Sequence, residues 1–289
     1  MNRMRRIATS TTVAVFVATL VSGCQVTKSS FEPPQGVKVS IYQPRSDISM
    51  NRIAIKFQND SAEPLTITAA SLISNFFASE FVWSRGRTAT VSPGFAIDLR
   101  VGIQSVDSCG EGRSASTVRF NWSIGDVSGT SVITPEDTFG ILDSLHGNGC
   151  FIAAVNKASS ITAVSLTPPS QKLAPATLLI SIAPTGEEGK LTINSIGSTT
   201  LLSPADSKGI STALLNLDVV INAKGPFKIN VPIVPNRCDA HGIAEDKIGT
   251  RIPLHVTLAD GTVGRLVLPA SNQLRAAMYS FYTSYCGLG

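Results

Sequence analysis

Apolar and polar residues alternate with a period of two along most of the chain. Val37-Lys38-Val39-Ser40-Ile41-Tyr42, Arg52-Ile53-Ala54-Ile55-Lys56-Phe57 and Leu65-Thr66-Ile67-Thr68 each put every second side chain on one face, the signature of a half-buried β-strand. Asn59-Asp60-Ser61-Ala62-Glu63-Pro64, between the last two, is turn chemistry. The pattern continues at residues 96–101 and 118–122, and again at 178–182, 190–196, 213–221, 227–231, 253–258 and 263–268. Asp260-Gly261 between the last two segments marks a hairpin.

Two stretches break this period. Thr134-Pro135-Glu136-Asp137 offers an N-cap, a proline for the first helical position and acids for the first turn. Phe139, Leu142 and Leu145 would share a face, and Gly147 or Gly149 would stop such a helix. A second helix is expected from Ser271, with Leu274, Met278, Phe281, Tyr282 and Tyr285 as its apolar set. Strand remains an alternative for residues 278–285, because aromatic residues also favour strands.

The ends and breaks organise the chain. Arg3, Arg5 and Arg6 precede an uncharged segment at 7–21 whose apolar core is Val13-Ala14-Val15-Phe16-Val17-Ala18, and small residues lead into a cysteine at Val21-Ser22-Gly23-Cys24. Charged, apolar and small-residue regions in this order make a secretory signal, with an apolar run shorter than the roughly 20 residues a transmembrane helix needs. Val21-Ser22-Gly23-Cys24 resembles the lipobox of bacterial lipoproteins. The resemblance implies that residues 1–23 are removed and that Cys24 carries lipid, which would hold the protein at the extracytoplasmic face of the cell membrane by several acyl chains.

Residues 25–36 are polar and Pro-rich and read as a flexible tether, and a second break falls at 167–177. The expected organisation is therefore a signal at 1–23, a lipidated cysteine and tether at 24–36, a β-sandwich domain at 37–166, a linker at 167–177 and a second β-sandwich domain at 178–289. The two halves read as diverged copies. Ile97-Asp98-Leu99-Arg100-Val101 aligns with Leu217-Asp218-Val219-Val220, and Phe120-Asn121-Trp122 with Leu254-His255-Val256. The order Cys109…Trp122…Cys150 resembles that of an immunoglobulin domain, and the resemblance implies tandem immunoglobulin-like sandwiches in a mainly β protein.

Charge and cysteines refine the picture. Beyond residue 23 the chain has 21 basic and 20 acidic groups, so the excess of positive charge belongs to the signal and no nucleic-acid footprint remains. With Cys24 assigned to lipid, Cys109, Cys150, Cys238 and Cys286 are left. An even number in an exported protein reads as two disulfides. Of the three possible pairings, Cys109–Cys150 with Cys238–Cys286 keeps each bridge inside one half, and each closes a loop worth about 4 kcal/mol in the chain-entropy model.

Candidate chemistry is sparse. Cys238, Asp239, His241 and Glu245 lie within eight residues, and His241 and Glu245 would share one helical turn. This donor set suits a borderline metal. If Cys238 is oxidised, Asp239 caps a turn and residues 245–247 form a solvated loop. Of the other histidines, His146 is expected in a Gly-rich turn and His255 exposed on a strand. Phe76, Phe77, Phe81 and Trp83 are expected in a core. Gly-x-Ser-x-Gly, Walker, GxGxxG and CxxC motifs are absent. The expectation is a lipid-anchored, non-enzymatic protein without a cofactor, with an envelope protein or small molecule as partner. A metal-binding lipoprotein and an envelope hydrolase are the alternatives.

Overall fold

The computed structural model describes residues 33–83, 86–110, 115–185, 190–222, 225–246 and 250–288. The expected signal and Cys24 lie outside the described residues. The first half contains β1 (Val37–Tyr42), β2 (Arg52–Asn59), β3 (Leu65–Ser74), β4 (Phe81–Val82), β5 (Ala89–Val91), β6 (Ala96–Gly102), β7 (Ser116–Ile124) and β8 (Val127–Ile133). Antiparallel pairing arranges them as β1-β2-β6 and β4-β3-β7-β8, with β5 also on β3.

Alternation decides what each strand buries. Val37, Val39 and Ile41 from β1 join Ile53, Ile55 and Phe57 from β2 in one apolar core with Leu65, Ile67 and Phe120 of the facing sheet. The Phe57 and Phe120 rings meet edge to face, 5.0 Å apart, across the two layers, a favoured aromatic geometry. Phe76, Phe77, Phe81 and Trp83 are buried here, as expected. The turn after β2 closes on its own first residue. Asn59 is wholly buried, its Nδ2 donates to the carbonyls of Glu63 and Val91, and its Oδ1 accepts from the Ser61 amide and hydroxyl.

The chain next crosses from one sheet to the other. Glu136 pairs with β1 in parallel, accepting from Ile41 N–H and donating to the Val39 carbonyl, each at 2.9 Å. This strap occupies the residues expected to start a helix. Helix α1 (Ile141–Ala158) begins later. Both oxygens of Asp137 accept its first amides, from Ile141 at 2.8 Å and Leu142 at 3.1 Å. Phe139 stays 75% exposed rather than joining an apolar face.

Gly147 and Gly149 lie within α1 and do not end it, and His146 is helical rather than in a turn. Two packing effects outweigh the roughly 1 kcal/mol that each glycine costs a helix. A Cβ on Gly149 would meet Val106 Cγ1 at 2.6 Å, so the bare backbone is what lets that loop approach. Beyond it, Phe151, Val155 and Ala158 enter a second core, whereas Leu142 belongs to the first.

The second half contains β9 (Ser159–Thr167), β10 (Ala176–Pro184), β11 (Leu191–Gly197), β12 (Leu202–Pro204), β13 (Leu214–Ile221), β14 (Phe227–Pro235), the short helix α2 (His241–Glu245), β15 (Arg251–Leu258), β16 (Val263–Pro269) and α3 (Asn272–Cys286). Its sheets run β12-β14-β10-β9 and β13-β11-β15-β16. The boundary expected at 167–177 is corrected by this pairing. β9 lies along β10 from Thr167↔Thr177 to Ser159↔Pro184, so residues 159–167 belong to the second sandwich. The change of core falls inside α1, and 168–175 is a loop within the second half.

The halves share a strand order: β1-β2-β6 corresponds to β9-β10-β14, and β3-β7-β8 to β11-β15-β16. Each ends in a helix that carries a cysteine. Cys109 follows β6 and bonds Cys150 on α1; Cys238 follows β14 and bonds Cys286 on α3. The expected pairing and the tandem β-sandwich fold are present, with one correction to the alignment. The counterpart of β6 is β14, whereas the Leu217–Val220 segment is in β13, which pairs with β11. The Cys109–Cys150 bridge does not repeat the immunoglobulin arrangement implied by the Cys109…Trp122…Cys150 order, because it, like Cys238–Cys286, ties a connection to a helix instead of joining two sheets.

Two packing predictions follow. Asn59→Ala orphans the buried Val91 carbonyl of β5 and removes the side chain that closes the 61–63 turn, and is expected to lower stability by about 1–3 kcal/mol in urea unfolding. Gly264→Ala puts a methyl against the Phe151 ring, whose atoms lie 2.5–2.7 Å from the required Cβ position; a loss of about 1–3 kcal/mol is expected, relieved by Phe151→Leu.

Candidate binding groove

The metal-type donors of 238–245 do not converge. Cys238 is oxidised. Asp239 Oδ1 accepts from the His241 amide at 2.8 Å, capping α2 as an Asx turn does. Arg237 engages Glu245 and lies 3.8 Å from Asp239. His241 is exposed at the start of α2. Among the described residues, no group of three His, Cys, Asp or Glu side chains is placed to hold a metal ion. Lys247 of the same stretch lies outside the described residues.

Helix α3 explains why this segment is ordered. Ser271 caps it by accepting from Leu274 N–H at 3.1 Å, as its sequence predicts; of the expected face, Leu274, Met278, Phe281 and Tyr282 are buried and Tyr285 is half-buried. The Tyr282 hydroxyl donates to the Asp239 carbonyl at 2.8 Å and accepts from the Asp239 amide at 3.2 Å. It also fills the space that a side chain on Gly242 would need. The candidate donors are thus held as a structural lid on α3.

Asp246 departs from expectation. Instead of lying in a solvated loop it is only 6% exposed. Its Oδ2 accepts from the Tyr279 hydroxyl at 2.9 Å, and its Oδ1 has no partner among the described residues. Burial pushes its carboxyl above the ordinary carboxylate value, against the opposing pull of Tyr279 and the Arg275 charge. Burial and the neighbouring carboxylate push the Tyr279 phenol up to about 12, so it remains a proton donor.

The opening suited to a ligand lies on the other side of α3. The loop after β9 stands away from the helix and encloses a groove of about 650 Å³. One wall is Pro168 to Leu173; the other is the α3 face of Ala277, Ser280, Phe281 and Ser284, spaced three and four apart. Buried Leu166 and Phe281 form its apolar part. Prolines at 168 and 169 hold the backbone extended where the loop leaves the sheet, and Leu173 sits at φ 62° with its side chain 65% exposed. Among the described residues, Lys172 is the charged side chain of the lining. The sequence reading took this loop for a linker and missed the groove; its Pro-Pro pair was the available signal.

Of the remaining histidines, His255 is half-buried on β15 opposite Arg265 rather than exposed. His146 stacks on Phe76, with ring centroids 3.9 Å apart.

No family model and no curated protein matches the chain. Solved structures with some likeness include red sea bream transglutaminase, at 11% identity over 83% of this chain and 32% of that one, with a TM-score of 0.23. The YadV chaperone is 12% identical over 81% of this chain and all of its own length, with a TM-score of 0.21. A chaperone–tip adhesion subunit complex of Csu pili from Acinetobacter baumannii is 10% identical over 77% of this chain and 93% of that one, with a TM-score of 0.20. This chain spans about a third of the transglutaminase. Scores this low carry no functional argument.

Asp246 makes stability depend on pH. Its folded-state value is raised, so its contribution is fully present below the unfolded value and is lost as pH rises through the folded one. Asp246→Asn is expected to flatten this acid-side slope in unfolding titrations while leaving neutral-pH stability equal or higher. Tyr279→Phe, which orphans the second oxygen, is expected to cost about 1–3 kcal/mol at neutral pH.

Proposed function

We propose that this chain is a non-enzymatic, exported binding protein that holds an elongated, largely apolar ligand with an anionic end in the groove between 168–173 and α3. The groove carries the reading. Its volume of about 650 Å³ is that of small-molecule sites, which combine apolar walls with a few polar groups. Leu166, Phe281 and the prolines supply the apolar wall, Ser280 and Ser284 supply hydroxyls, and Lys172 supplies the positive charge. Among the described residues the lining offers hydroxyls, an amine and apolar surface, a set suited to binding rather than to acid–base or nucleophilic chemistry.

Address supports the same role. Two disulfides accord with an oxidising compartment. Acylation of Cys24, with 25–36 as tether, would hold both sandwiches beside the membrane and near amphiphilic ligands. The anchor is tested by intact mass of protein from its native host, where a chain beginning at an acylated Cys24 is expected and any other start removes it.

The groove is tested with the anionic amphiphile 8-anilinonaphthalene-1-sulfonate. One saturable site with enhanced fluorescence is expected. Ser284→Trp, which fills the groove from its exposed rim, should weaken binding by about tenfold or more, equivalent to about 1.4 kcal/mol, with the near-ultraviolet dichroism of the core retained. Absence of saturable binding, or binding unchanged in Ser284→Trp, would overturn the assignment.

A further inference from the structure

The two disulfides occupy equivalent places in the fold but differ in their surroundings. Exposure does not separate them: Cys109 after β6 and Cys238 after β14 are exposed, and Cys150 on α1 and Cys286 on α3 are half-buried, so the difference lies in the side chains beside them. One turn before Cys150, on the same helix face, His146 sets its Nε2 3.5 Å from Cys150 Sγ and 2.7 Å from the Ser108 carbonyl oxygen. A carbonyl only accepts, so Nε2 carries the hydrogen and donates it to Ser108, while Cys150 Sγ lies 3.5 Å from the same nitrogen. The ring is held in place by the Phe76 ring, stacked at 3.9 Å with 10° between planes, and by the Phe77 edge at 6.5 Å. Among the described residues, no side chain hydrogen-bonds a sulfur of the Cys238–Cys286 bridge.

We propose that Cys109–Cys150 is a thiol–disulfide exchange site in which Cys109 is the sulfur attacked and Cys150 the leaving thiolate. Exchange proceeds by attack of a thiolate on one sulfur of a disulfide, and it is faster the better the departing thiolate is stabilised. Access selects Cys109. His146 Nε2, 3.5 Å from Cys150 Sγ, selects Cys150 as the group to leave: its N–H, held by the Ser108 carbonyl while the bridge is closed, is within reach of the thiolate once the charge forms and stabilises it. The co-reactant is a dithiol, such as the reduced active site of a thiol–disulfide oxidoreductase. Its first thiolate bonds Cys109 as the Cys109–Cys150 bond breaks, and the electron pair goes to Cys150, which takes a proton. Its second thiolate then attacks the partner sulfur of the mixed disulfide and expels Cys109. The result is a dithiol at 109 and 150 and a disulfide on the co-reactant.

Exchange here has a structural consequence. The bridge is the covalent tie between the loop after β6 and the helix that enters both cores. Opening it leaves the loop held against α1 by the non-covalent contacts of Val106 and Ser108, without cutting either sandwich.

The folded protein is treated with dithiothreitol below its unfolding conditions, quenched at intervals with iodoacetamide, and the carbamidomethylated cysteines are mapped by mass spectrometry. Cys109 and Cys150 are expected to open about tenfold or more faster than Cys238 and Cys286. His146→Phe, which keeps an aromatic ring beside Phe76 and removes the N–H, is expected to slow that opening about tenfold, and His146→Gln, which restores a donor, to recover part of it. With oxidised glutathione, Cys150→Ser is expected to trap a glutathione adduct on Cys109, and Cys109→Ser to trap far less on Cys150. Equal rates for the two bridges in the unaltered protein would overturn the proposal whatever the variants do. So would a folded His146→Phe protein that opens at the unaltered rate.

Discussion

Each sandwich is closed by a helix, and the fold depends on how those helices are tied. α1 buries Leu142 in the first core and Phe151, Val155 and Ala158 in the second, so one rigid rod belongs to both halves. A helix shared in this way transmits any displacement at one end to the other, because close-packed interiors resist deformation. Arg251, whose guanidinium donates to the Ile48 carbonyl at 3.5 Å, adds a polar contact between the halves. α3 is different: its buried face, Leu274, Met278, Phe281 and Tyr282, belongs to the second core alone. It packs instead on its own sandwich, and its outer face becomes a wall of the groove.

The duplicated strand order gives this asymmetry its meaning. Both halves place a cysteine after the third strand of the first sheet and join it to the helix that ends the sandwich. Around Cys150 the shared plan has acquired an imidazole stacked on phenylalanine. Around Cys286 it has acquired a tyrosine, Tyr282, that locks the 239–242 backbone. Equivalent bridges have thus come to serve different neighbours, one beside a proton donor and one beside a ligand-sized opening.

Charge is used structurally where it is buried. Asp47 is almost fully covered and paired to Arg52 at 2.8 Å and to Arg100, while Asp98 accepts from Tyr42 at 2.6 Å. These groups neutralise one another over the outer face of the β1-β2-β6 sheet. Burying a charge is tolerable only when it is paired in this way. Asp246 is the contrast: a tyrosine satisfies one oxygen, burial raises its proton affinity, and the rest of the cost appears as pH dependence.

The local patterns carried a good deal. Period-two alternation located most of the strands, the Ser271 cap and its apolar face located α3, and the even remainder of cysteines gave two bridges whose pairing followed from the division into halves, because each is a property of neighbours in sequence or of a small count. Residues 159–167 were missed as a strand since their burial is irregular, with Ile161 and Leu166 out of phase across a bulge. Gly147 and Gly149 read as a stop because their compensation, Val106 and the second core, is distant along the chain. The Pro-rich 168–175 stretch looks like a linker until α3, more than a hundred residues later, comes to lie beside it. Amino-acid order alone determined most of the extended segments, α3 and the presence of two bridges; only tertiary packing decided how far α1 runs and that it joins the halves, which carboxyl is buried and where a groove stays open, since each depends on surfaces that meet after folding.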